Sequence, residues 1–206
     1  MRQIIGLLGG TFNPIHCGHL RAAIEVQETY DLTQIIIIPA FVPPHKASVN
    51  LAKAHDRLNM AKIAAADIPF VECSDVEINR LGTSYTIDTW HYFKNTLPID
   101  TGLKLILGRE VFLEIHLWHR FEELLQEAEF IVTNRPFKAF DRDADLLDRY
   151  LETILKGFSP KLETVNVPEL SISSSEIRAK IKAKQSIKFL VPSTIANYIH
   201  EKGLYQ

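Results

Sequence analysis

Cysteine is scarce: Cys17 and Cys73 are the only two in 206 residues. Two thiols make no disulfide framework, and reduced cysteines in a cytoplasmic protein are the simpler reading. Long apolar runs are missing as well. None approaches the roughly 20 residues that cross a bilayer, so no membrane partner is expected. The apolar run near the N-terminus carries one positive charge and is broken by Gly9, Gly10 and Pro14, which does not fit a signal peptide. Charge of one sign is not in excess. A formal net charge of -2 makes no basic field, so no nucleic acid partner is expected. There is no repeat, no low-complexity segment and no clear linker. Two nucleotide signatures are also absent. No G-x-x-x-x-G-K-[ST] is present, which excludes a P-loop NTPase. No G-x-G-x-x-G follows the first apolar run, which disfavours a dehydrogenase-type cofactor site.

What remains is an ordinary globular composition, 46% hydrophobic and 23% charged. The length suits one domain, here 1–206, with a helical C-terminal part from about residue 171. Strand-like runs cover Ile4–Leu8, Gln34–Pro39, Phe70–Ser74, Leu103–Leu107, Glu129–Thr133 and Glu163–Val167. They alternate little between apolar and polar, as strands buried on both faces do. Helical patterns cover Gly18–Tyr30, Ala54–Ala66, Thr86–Asn95, Phe121–Gln126 and Asp143–Lys156, then Ser173–Lys184 and Pro192–Glu201. Arg135–Phe140 reads as a loop. The alternation implies an α/β fold, a doubly wound, Rossmann-like parallel sheet with a small helical C-terminal subdomain. Ligands on such sheets sit outside the strand carboxyl ends.

The most informative stretch is "GGTFNPIHCGHLRAA", Gly9 to Ala23. It reads as a strand end, a glycine turn and a helix start. Gly9 and Gly10 let a phosphate approach the backbone closely. Gly18 and His19 open the helix, where unsatisfied N–H groups and about half a positive charge face an anion. His16 and His19 add donors. The plain alternative is a tight turn with incidental histidines. A His-x-x-His metal pair is a further alternative, but no "HExxH" or carboxylate companion supports it, and no protein metal site is assigned.

Four later stretches add candidates. "FVPPHK", Phe41–Lys46, places His45 and Lys46 on a loop stiffened by Pro43 and Pro44; a solvated surface lysine is the alternative. "GTSYTIDTW", Gly82–Trp90, is a loop entering a helix that Thr83 or Ser84 caps, and residue physics alone favours that ordinary cap. After the fourth strand come Gly108, Arg109 and Glu110, then Trp118, which is either a core residue or a flat partner for a flat ring. In "SISSSEIRAKI", Ser173 and Glu176 fit a capping box, with Ser174, Ser175 and Arg178 on the first turn, facing outward.

The "GGTFNPIHCGH" stretch resembles the G-x-F-[DN]-P-x-H-x-G-H motif of the nucleotidyltransferase α/β-phosphodiesterase superfamily. Within it, the chain from Gly9 to Arg178 resembles the bacterial nicotinate-nucleotide adenylyltransferases. That resemblance implies transfer of AMP from ATP, carried with Mg²⁺, to nicotinate mononucleotide, giving deamido-NAD and pyrophosphate. It implies His16, His19, Lys46 and Arg178 as catalytic residues. It implies ATP contacts from Gly9, Gly10, Thr11, Phe12, His16, Gly18, His19, Gly108, Glu110, Ser173, Ser174, Ser175 and Arg178. Nicotinate mononucleotide contacts follow from Asn13, His45, Lys46, Thr83, Tyr85, Thr86, Trp118 and Arg135. Two positions depart from the pattern: Asn13 stands where many members have Asp, and Glu110 stands where Asp is usual. Other readings stay open: transfer to nicotinamide mononucleotide or phosphopantetheine, or a non-catalytic nucleotide-binding regulator. A homo-oligomer is left open too.

Overall fold

The run Ile35–Ile38 shows why the strands carry no polar alternation. Ile36 and Ile38 enter one apolar cluster, while Ile35 and Ile37 enter another on the opposite face. Successive side chains of a strand point to opposite faces, so a run apolar at every position is buried on both. A computed structural model describes residues 3–44, 51–134, 146–168 and 170–206. The strands are β1 (Ile4–Gly10), β2 (Gln34–Pro39), β3 (Val71–Cys73), β4 (Gly102–Gly108), β5 (Glu129–Asn134) and β6 (Lys161–Asn166). All pair in parallel, in the order β3-β2-β1-β4-β5-β6.

The helices are α1 (Cys17–Tyr30), α2 (Ala54–Ala65), α3 (Val76–Arg80), α4 (Thr86–Thr96), α5 (Arg109–Phe112), α6 (Phe121–Glu127), α7 (Leu146–Thr153), α8 (Ser174–Lys182) and α9 (Ser193–Glu201). A 3-10 turn spans Ile115–Leu117. One sheet face carries Trp90 and Phe93 of α4, Phe112 of α5, Leu124 and Leu125 of α6, and Leu147 and Tyr150 of α7. The other carries Ala23 and Val26 of α1, Met60, Ala61 and Ala64 of α2, Ile177 of α8, and Ile195 and Ile199 of α9. Among the described residues, no helix is long and apolar enough to cross a membrane.

The expected strands agree with the observed ones to within a few residues. β3 is shorter than Phe70–Ser74, and β6 starts two residues before the expected Glu163. Both are edge strands. In β6 the exposed Lys161 and Glu163 pair with Glu129 and Lys104, so its outer positions are charged rather than apolar. Sequence reading omits α3, α5 and the 3-10 turn, which are too short to show a helical period. Within the helical pattern Asp143–Lys156 the described residues hold α7, Leu146–Thr153; residues 143–145 and the loop Arg135–Phe140 lie outside the described residues.

The strand order reverses between β1 and β4. From β1 the chain winds outward through β2 and β3, then returns to β4 on the other side. Connections leave β1 and β4 in opposite directions, which opens a crevice at their carboxyl ends. Those ends are Gly9-Gly10 and Gly108.

Candidate active site

At the carboxyl end of β1 the chain turns through Thr11–Ile15 into α1. Phe12 adopts a left-handed backbone (φ 47°), and its buried ring meets His19 edge-on, with centroids 5.1 Å apart. His16 caps α1, which therefore starts at Cys17, one residue before the expected Gly18. The His16 and His19 rings stack at 3.7 Å and 28°. The His16 N–H donates to His19 Nδ1 at 3.2 Å. In neutral His19 the proton then sits on Nε2, which makes that nitrogen a donor. The glycine between the histidines has a steric reason. A Cβ on Gly18 would lie 3.1 Å from His16 Cε1 and Nδ1, tighter than ordinary contact. Gly9 is the opposite case: a Cβ there would meet nothing within 4 Å, so its missing side chain leaves open space over the strand end.

Distant elements fix the turn. Arg57 of α2 is fully buried and donates to Thr11 O (2.7 Å), Phe41 O (2.9 Å) and Ala52 O (3.1 Å). Burial lowers its pKa, while Tyr205 and Glu77 nearby oppose that shift. Ser174 Oγ donates to Pro14 O at 2.8 Å, and Arg178 Nη1 donates to Asn13 O at 2.7 Å. Ser173 caps α8 by accepting from Glu176 N–H, the expected half of the capping box. The Glu176 side chain pairs with Lys180. Thus Ser174 and Arg178, expected to face outward, reach across to the β1 turn.

A cleft of about 690 Å³ opens over this turn. Every residue the resemblance assigns to ATP lines it: Gly9 to Phe12, His16, Gly18, His19, Gly108, Glu110, Ser173, Ser174, Ser175 and Arg178. Asn13, assigned to the mononucleotide, lines it too. A second cavity of about 250 Å³ shares Gly9, Gly10 and Thr11 with the first. Tyr85, Thr86 and Trp118 line it, as do Glu77, Ser84, Glu114 and His119. His119 lies against Tyr85 with ring centroids 4.3 Å apart.

Thr83 lines neither cavity; it is exposed and bridges to Val42 of the β2 loop. Nor do Thr83 and Ser84 cap α4. Its N-cap is Tyr85, without a side-chain cap bond, because Ser84 Oγ accepts from Phe41 N–H instead (2.9 Å). His45, Lys46 and Arg135 lie outside the described residues. Sequence reading missed Arg57, Glu77, His119 and Tyr205. Arg57 alone left a trace: with Met60, Ala61 and Ala64 it lies on the buried side of α2.

Cys17 sits between the histidines, and burial raises its thiol pKa, which disfavours the thiolate that a nucleophile needs. Burial pushes Cys73 up to about 12. Among the described residues one His/Glu group has metal-ligand spacing, His91, Glu123 and Glu127, and it lines neither cavity.

A doubly wound parallel sheet, with a glycine–histidine turn at its switch point and a hydroxyl- and arginine-bearing helix opposite, defines an α/β nucleotidyltransferase. The cytidylyltransferase-like family model matches residues 7–180. A "probable nicotinate-nucleotide adenylyltransferase" of Desulfatibacillum aliphaticivorans is 36% identical over 216 residues, covering 98% of this chain and 99% of the relative. One of the same name from Trichlorobacter lovleyi is 39% identical over 211 residues, with 98% and 99% covered. The solved nicotinic acid mononucleotide adenylyltransferase of Plasmodium falciparum complexed with APC superposes with a TM-score of 0.76. It is 25% identical, covering 98% of this chain and 97% of that one. The same protein complexed with NaAD gives 0.76 at 26% identity, with the same shares covered. The chain belongs to the cytidylyltransferase-like family and, within it, to the nicotinate-nucleotide adenylyltransferases, nucleotidyltransferases of NAD biosynthesis.

Proposed function

We propose that the chain transfers AMP from ATP to nicotinate mononucleotide, giving deamido-NAD and pyrophosphate. The observation that carries this reading is the pair of cavities that meet at Gly9-Gly10-Thr11. The larger suits a nucleoside triphosphate, and the smaller, with its aromatic wall, a pyridine ring. A 5′-phosphate entering from the smaller would meet the α-phosphorus of ATP at the shared strand end. A phosphate oxygen attacks that phosphorus, a new P–O bond forms, and the bond to the β-phosphate breaks in line. No protein nucleophile is needed, so catalysis rests on positioning and charge stabilisation.

His19 Nε2–H and the first turn of α1 face the α- and β-phosphates. Arg178, the Ser175 hydroxyl and the Ser174 main-chain N–H hold the leaving pyrophosphate, since the Ser174 hydroxyl donates to Pro14 O. Arg178 spends one donor on Asn13 O and one on Ser175 Oγ, and a guanidinium has five. Lys46 joins them by its resemblance to the family's phosphate-binding loop. Mg²⁺ enters as MgATP. Among the described residues, Glu110 is the one carboxylate lining the larger cleft. That suits a cation held mainly by substrate phosphates and water. Trp118 and Tyr85 flank the pyridine ring, and Thr86 N–H belongs to the uncapped start of α4.

The test is pyrophosphate release with ATP, Mg²⁺ and nicotinate mononucleotide, for the parent and His19→Ala. Turnover by the parent is expected, with kcat lower by about 10²–10³ in the variant, the usual scale for one lost transition-state donor. A silent parent overturns the reaction. A variant within a few-fold of the parent overturns the role of His19.

A further inference from the structure

Asn13 lies in the turn between Gly10 and His16, lines the larger cleft, and is held at both of its oxygens. Its main-chain carbonyl accepts from Arg178. Its side-chain Oδ1 accepts from Ala52 N–H at 3.0 Å and from Tyr205 Oη at 2.8 Å. A main-chain N–H can only donate, so the Ala52 contact identifies this atom as the amide oxygen. Tyr205 must then donate to it. With the oxygen edge fixed by two donors, Nδ2 presents its hydrogens from the other edge of the amide.

Tyr205 is not placed there by local preference. It follows α9, lies 192 positions from Asn13 in the sequence, and has a left-handed backbone (φ 65°). A bulky residue in that region is a genuine outlier, kept only when the surroundings over-determine it. Its ring packs with the apolar cluster of α1, α2, α8 and α9. Burial raises the phenol's pKa, opposed by Arg178 and Arg57, so the hydroxyl stays a donor through the working pH range.

We infer that Tyr205 is a positioning residue for nucleotidyl transfer, its hydroxyl fixing the Asn13 amide at the turn that carries His16 and His19. The inference rests on the proposed reaction for its catalytic readout, though not for its contact.

Tyr205→Phe keeps the ring and removes one hydrogen bond. A kcat lower by roughly tenfold is expected, with KM for ATP within about twofold and Tm lowered by a few degrees at most. In an Asn13→Ala background the same substitution should have no further effect on kcat. A purely structural role predicts otherwise, a loss that persists without the Asn13 amide. The Asn13 side-chain amide NMR signals, assigned by their loss in Asn13→Ala, report the contact without turnover and should move in Tyr205→Phe. The inference is overturned by unmoved signals, by a kcat within twofold of the parent, or by a loss undiminished in the Asn13→Ala background. If the signals move but the parent releases no pyrophosphate, the contact stands and it is the proposed reaction that falls.

Discussion

Gly18 sets two local effects against each other. It is the second residue of α1, where alanine is the better helix former by up to about 1 kcal/mol. Yet the Cβ of alanine would press on the His16 ring at 3.1 Å, and His16 stacks on His19. Gly18→Ala should therefore leave Tm equal or slightly higher while kcat falls about tenfold, through displaced donors. Thermal unfolding and steady-state kinetics on one preparation check this; full activity, or activity lost together with Tm, would contradict it. Much of the lining of the larger cleft was legible in the sequence because its signal is local. Gly9 to His19 is one turn and Ser173 to Arg178 one helix start, and each carries its own chemistry at fixed spacing. Arg57, Tyr205 and His119 were not legible. Arg57 reaches back 46 positions to Thr11, Tyr205 reaches 192, and His119 meets Tyr85 only because α4 and the segment after the 3-10 turn share a sheet face. No spacing rule encodes such contacts.

Elements announced themselves in proportion to length and burial. Interior strands such as β2 and β5 carry unbroken apolar runs, Ile35–Ile38 and Phe130–Val132, and stand out, whereas α3 and α5, of five and four residues, do not. The α4–α6 contact is another feature without a motif. Glu127 of α6 accepts from Lys94 of α4 at 2.7 Å and lies 3.3 Å from His91. The hydrogen bond to Lys94, then the charges of Lys94 and His91, hold its carboxyl below the usual range, against partial burial. A depressed folded-state pKa contributes stability above the unfolded value and loses it as pH falls through the folded one. The group is partly exposed, so the contribution is that of a surface pair, about 0.2–1 kcal/mol. Glu127→Gln should lower Tm slightly at pH 7, and the gap to the parent should close below about pH 4. Thermal melts from pH 7 to pH 3 decide it; a gap that is constant or widens toward acid would be the wrong sign.

At the scale of the whole molecule, the reversal of strand order brings together two cavities that no single segment encodes. Residues 8–22 and 167–178 supply much of the larger, and residues 77–89 with 114–119 much of the smaller. They share only a strand end and a few flanking side chains, so each substrate can be read by a different part of the chain. On the proposed reading, choice of base belongs to the smaller cavity. Nicotinate carries a carboxylate where nicotinamide carries a neutral amide. The start of α4 lacks a side-chain cap, and Ser84 Oγ is engaged by Phe41 N–H. The first-turn N–H groups and the positive end of the helix dipole thus face a ligand near Tyr85 and Thr86. A carboxylate gains charge-assisted bonds there, while an amide must turn its NH₂ toward donors and lose them. Glu77 and Glu114 line the same cavity and repel a carboxylate. Glu77 is turned to accept from Thr89 Oγ1 at 2.6 Å, and Arg80 donates to that hydroxyl, which moderates the repulsion. The net preference for nicotinate should reach about 2–3 kcal/mol, on the order of 30–150 in kcat/KM. Trp118 lines the cavity and stacking does not distinguish the two rings, so Trp118→Ala should weaken both mononucleotides and leave their ratio nearly unchanged. The measurement is kcat/KM for each with ATP at fixed Mg²⁺, in the parent and in Trp118→Ala. A parent that prefers nicotinamide mononucleotide, or treats the two alike, would sink this account of α4 while leaving transfer from ATP in place.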